Sequence, residues 1–125
     1  MRRLLGLALL GMTLAGCGED TPGTIVVSLE SPNADDGAVL FRIIGPGIAS
    51  AIGASTAFDV HVRLVSTTEA MVFLVGNVSD GPVLTLEVPN VGEANAYTGT
   101  VLDAANRADA SQGSTASYAV TFEKL

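Results

Sequence analysis

The chain has 125 residues, with 6 basic and 13 acidic side chains, 48% hydrophobic residues, no tryptophan and a single cysteine. Setting aside residues 1–16, which hold Arg2 and Arg3, leaves four basic residues against thirteen acidic ones, a net charge of −9. So acidic a body repels nucleic-acid phosphates, which excludes nucleic acid as an expected partner, and one cysteine cannot form an internal disulfide.

The amino-terminal segment comes first. Arg2 and Arg3 precede an apolar run from Leu4 to Leu14 that is broken only by Gly6, Gly11 and Thr13. As a helix this run extends about 16 Å, roughly half of a hydrocarbon core about 30 Å thick, so it is too short to span a membrane. A positive start, a short apolar stretch and then small residues make the order of a secretory signal. The junction Leu14-Ala15-Gly16-Cys17 resembles the lipobox of bacterial lipoproteins. That resemblance implies cleavage between Gly16 and Cys17, a diacylglyceryl thioether on Cys17 and a further acyl chain, such as palmitate, on the new amino terminus. Each buried methylene contributes about 0.8 kcal/mol, so two or three chains hold a protein firmly where one does not. The expected organisation is a signal peptide at 1–16, the lipidated cysteine and a short tether at 17–23, and one domain at 24–125. The expected location is the cell envelope. Gly18, in place of the aspartate that retains lipoproteins in the inner membrane, favours the outer membrane or a periplasm-facing site.

Beyond the tether the periodicity is that of strands. Ile25, Val27 and Leu29 start the series, and the turn-rich stretch PNADDG (32–37) follows. AVLFRII (38–44) is apolar almost throughout, as expected of a central strand covered on both faces or lying against a partner. GPG (45–47) is a turn, and IASAIGASTA (48–57) reads as a loop. Phe58, Val60, Val62 and Leu64 alternate with Asp59, His61 and Arg63, giving one apolar and one wet face. AMVFLV (70–75) is again apolar and GNVSDG (76–81) is a turn. Leu84, Leu86 and Val88 then oppose Val83, Thr85 and Glu87, and the turn PNVGEAN (89–95) follows. A weaker seventh strand is expected at 97–103, a turn at 109–115, and a last strand in which Tyr118, Val120 and Phe122 share a face. About seven strands, turns at regular spacing and no amphipathic helix predict an all-β antiparallel sandwich.

The order GAVLFRIIGPG, then VFLVGNVSDGPVLTLEVPNVG, then YTGTVLDAANRAD resembles that of cohesin-type sandwiches of the immunoglobulin-like class. The resemblance implies the sandwich class for roughly residues 37–109. Gly45-Pro46-Gly47 stands where that family carries an aromatic-Asp-Pro turn, so no binding residues are carried over.

Candidate chemistry is sparse. His61 is the one histidine, it sits on a wet face, and no G-x-S-x-G stretch presents a nucleophile to it. Zinc has too few nitrogen and sulfur donors. Calcium takes oxygen ligands, and two clusters supply them: Asn33, Asp35 and Asp36, and Asp103, Asn106 and Asp109. The same residue types are also what turns require. Tyr97 reads as the one exposed ring and Tyr118 as a core residue. The expected function is a non-enzymatic, membrane-anchored interaction or structural module of the envelope, with no cofactor beyond its lipid and no small-molecule substrate. A small calcium-dependent or carboxylate-based hydrolase using the acidic loops is the alternative.

Overall fold

A computed structural model describes residues 20–125. The expected signal segment and lipobox-like junction, including Gly16 and Cys17, lie outside the described residues. Eight strands follow in chain order: β1 (Gly23–Glu30), β2 (Asp36–Ile44), β3 (Ser50–Gly53), β4 (Phe58–Ser66), β5 (Glu69–Gly76), β6 (Gly81–Val88), β7 (Thr98–Asn106) and β8 (Ala119–Lys124). They form two four-stranded sheets, ordered β3-β6-β1-β8 and β4-β5-β2-β7. Every paired neighbour is antiparallel. The chain changes sheet at each connection except the β4–β5 hairpin, which interleaves the two layers.

Alternation decides which side chains meet between the sheets. Ile25, Val27 and Leu29 from β1, Val39, Phe41 and Ile43 from β2, and Val72 and Leu74 from β5 are all fully buried. Burying a side chain of this size contributes about 1.5–3 kcal/mol, so this inner layer dominates stability. The described residues contain no disulfide partner for any thiol, and the fold rests on this core.

Three expectations are corrected. Segment 48–57 is not simply a loop: Ser50–Gly53 pairs with Glu87–Leu84 of β6 and adds an eighth strand. Small residues give it no alternation, and it forms because an edge position needs only a backbone ladder, extended by Ala49 N–H to Glu87 O at 2.8 Å and Ala54 N–H to Val83 O at 2.9 Å. Val83 does not face solvent, since a bulge opposite Val27 and Ser28 turns it inward beside Leu84, and both are fully buried. The stretch 89–95 is more than a turn, because Val91–Ala96 winds into a short 3₁₀ helix whose cap, Asn90, accepts Gly92 N–H at 3.0 Å.

Tyr97 is a fourth correction. Only 5% of it is exposed, and its hydroxyl donates to the carbonyl of Gly47. The bare α-carbon of Gly45 makes the room, because a Cβ there would enter the Tyr97 ring. Burial pushes the Tyr97 hydroxyl above the usual tyrosine range, against the lowering effect of its Gly47 bond.

Candidate functional site

The outer face of the second sheet is where the sequence pattern and water disagree. In an antiparallel sheet with one covered face, the other face is ordinarily polar. Here β2 and β5 are the two central strands, and their outward residues are largely apolar. The register sets Leu40 opposite Phe73, Ala38 opposite Val75 and Arg42 opposite Met71. Directly opposed residues point to the same side. Their chain neighbours Val39, Phe41, Val72 and Leu74 are fully buried, so this row stands on the outer side.

Phe73 is 42% exposed and forms the ridge of the face. A shallow groove of about 250 Å³ runs beside it, floored by Ala38, Leu40, Ala104 and Ala105 and closed at one side by Asp103. The groove has a local cause. A bulge in β7 between the partners of Leu40 and Phe41 leaves Leu102 unpaired and 42% exposed, and small residues at 104 and 105 leave space above the sheet. On the other flank β4 sets His61 opposite Phe73 and Arg63 opposite Met71. The apolar strip is therefore edged by Arg42, Arg63 and His61, with Asp103 on the side away from His61 and Asp59 at its far end. Aromatic, methionine and arginine side chains are the types enriched in protein interfaces. Of the two alternatives for these central strands, cover on both faces or a partner, the described residues cover only the inner face.

The first set of calcium candidates is drawn into a hydrogen-bonded network. Asp36, at the start of β2, is fully buried. Its Oδ1 accepts from the Tyr118 hydroxyl at 2.8 Å and from Gln112 Nε2 at 2.9 Å, and its Oδ2 accepts from the Ser31 hydroxyl. Asn33 donates Nδ2 to the Tyr118 oxygen at 2.9 Å, and Asp35 Oδ1 accepts from Gln112 Nε2 at 3.0 Å. Burial pushes the Tyr118 hydroxyl above its ordinary range, opposed by its bond from Asn33. The network joins segments more than 70 residues apart in the chain.

The second set is divided between elements. Asp103 lies on the outer face of β7, opposite Leu40, and its Oδ1 accepts its neighbour Ala104 N–H at 2.9 Å. Asn106 holds a turn, its Oδ1 accepting Ala108 N–H at 2.9 Å and Ala110 N–H at 3.0 Å. Asp109 sits in that turn at φ 64°, in the left-handed region that Asp tolerates. Among the described residues no three His, Cys, Asp or Glu side chains gather at metal-holding distances. His61 is exposed beside Asp59 and Arg63, as its alternation predicts.

Sequence reasoning missed Phe73, Leu40 and Met71 as site residues, although the uninterrupted apolar runs 38–44 and 70–75 carried their signal. Gln112 and Ser31 gave no comparable signal, because their roles depend on contacts distant in sequence. Comparison with known proteins finds no matching family model, no matching curated sequence and no matching solved structure.

Proposed function

We propose that this chain is a bacterial lipoprotein, anchored in the cell envelope through acyl chains on Cys17, whose immunoglobulin-like, cohesin-like sandwich is a non-enzymatic module that engages a protein partner. The observation that carries the reading is the outer face of the second sheet, where Leu40, Phe73, Met71 and Val75 adjoin across two central strands and carry no covering layer among the described residues. Leaving such a strip in water is costly, and contiguous exposed apolar surface rimmed by charge marks an interaction site. The lipobox supplies the location and the face supplies the activity.

The test is crosslinking in intact cells of the native host. A photoreactive group placed at residue 105, beside the groove, should capture one defined partner in the wild type, and Phe73→Asp should abolish that adduct while leaving the folded protein at normal abundance. Capture that is unaffected by Phe73→Asp would remove the face from the proposal. A Cys17→Ala chain should be released from membranes and lose the same adduct.

A further inference from the structure

The strand edges of the two sheets are not equally protected. β3 is only four residues long. The free side of β7 is taken up at its end, from Ala104 to Asn106, by the following loop, with Gln112 N–H on Ala104 O at 2.9 Å, Asn106 N–H on Ala110 O at 2.8 Å and a bridge from Ala105 to Ser111. β8 has only six residues. β4 differs from all three. Among the described residues it ends its sheet with β5 as its one ladder partner, and its register is regular from Phe58 to Leu64 before a bulge at Val65. An unprotected edge of this length is a template for another strand.

The residues of that regular stretch say which strand fits. Read about its middle residue, His61, the stretch Phe58-Asp59-Val60-His61-Val62-Arg63-Leu64 mirrors itself in character. Phe58 answers Leu64, Val60 answers Val62, and Asp59 answers Arg63 with opposite charge. We propose that β4 pairs with β4 of a second copy, antiparallel, about a two-fold axis through His61, joining two four-stranded sheets into one of eight strands.

In this register each Asp59 stands directly opposite the other copy's Arg63, twice over, on the outer face. The apolar residues meet on the inner side, because every opposed pair keeps its face. Sliding the pairing by two residues either way preserves the faces and loses both charge pairs. Charge complementarity therefore selects one occupant and one register, and the interface is isologous, as a closed dimer requires.

The axis is normal to the sheet, so β1 of both copies lies on the same side of the joined sheet. The same axis reverses strand direction, so the two Gly23 positions stand at opposite ends of the joined sheet. The dimer does not rest on the anchor reading or on the Phe73 face. Edge pairing alone buries little surface and makes a weak dimer in dilute solution, and confinement on a membrane raises the effective concentration.

The test uses the full chain carrying Cys17→Ser, with His61→Cys as the reporter. Residues opposed on the axis have Cα atoms about 4.5–5.5 Å apart, within the range a disulfide spans. Mild oxidation should give a reducible dimer from His61→Cys. Arg63→Cys should give none, since its two copies lie four residues apart along the ladder, about 13 Å. Sedimentation then reads the charge pairs in chains otherwise intact. Asp59→Arg should weaken dimerisation on the order of tenfold, and Asp59→Arg with Arg63→Asp should restore it. All these positions are solvent-facing, and an unchanged thermal transition certifies each variant as folded. Equal crosslinking at residues 61 and 63, no dimer from His61→Cys, or a charge swap that fails to restore association would overturn the proposal.

Discussion

Tyr118 donates its hydroxyl to Oδ1 of Asp36 across 2.8 Å, tying the residue that leads into β8 of one sheet to the first residue of β2 in the other. Asp36 is fully buried and is held by neutral donors alone: the hydroxyls of Tyr118 and Ser31 and the amide of Gln112. A buried carboxylate without a cation is tolerated only when its oxygens are bonded. These donors are therefore structural.

Asp36→Ala is expected to cost about 3 kcal/mol or more, because it removes three hydrogen bonds and strands their donors. Tyr118→Phe leaves the carboxylate two donors and should cost about 1–2 kcal/mol. Denaturant unfolding of the two single variants and the double variant checks both figures. Their effects should be strongly non-additive, since the second change removes a partner already lost. Simple additivity would mean that the two residues do not act through one another.

Both tyrosines of the chain have hydroxyls pushed above the ordinary value near 10, chiefly by burial. In the unfolded chain these groups ionise at the ordinary value. The folded pKa is raised, so the stabilisation is fully present below that ordinary value and is lost as pH rises through and beyond it. Absorbance at 295 nm should show little phenolate at pH 10 in the folded protein, followed by ionisation coupled to unfolding at higher pH. Half-ionisation of both rings at pH 10 with the fold intact would contradict their placement.

Adjacent residues of β5 should behave in opposite ways. Leu74 is fully buried and its truncation to alanine should cost about 2–5 kcal/mol. Phe73, the larger side chain, stands on the outer face, and Phe73→Ala should cost about 1 kcal/mol or less. Thermal unfolding of the two variants is the check. A larger loss at Phe73 than at Leu74 would mean that the outer face is packed by this chain and has no vacancy for a partner.

Much of this was legible in the amino-acid order, for a physical reason. Period-two alternation is a direct record of which side of a sheet is covered, and it located the strands containing Ile25, Phe58, Leu84 and Val120 and the unbroken apolar runs of β2 and β5. What escaped was set by partners far away in the chain. β3 has no alternation and exists because β6 offers it a ladder. Val83 reads as outward until a bulge opposite Val27 and Ser28 turns it in. Tyr97 follows a polar turn and looks exposed, yet a missing Cβ at Gly45 opens the place its ring fills. Asn33, Asp35 and Asp36 read as turn or calcium residues, and composition cannot show that Gln112, Ser31 and Tyr118 converge on them.

The anchor at Cys17 is the claim on which location, tethering and partner access all depend. Mass spectrometry of the mature protein, taken from membranes of its native host, examines it directly. The expected result is an amino-terminal peptide that begins at Cys17 and carries diacylglycerol in thioether linkage, with residues 1–16 absent. A free thiol at Cys17, or a product that still retains its leader, would contradict the account.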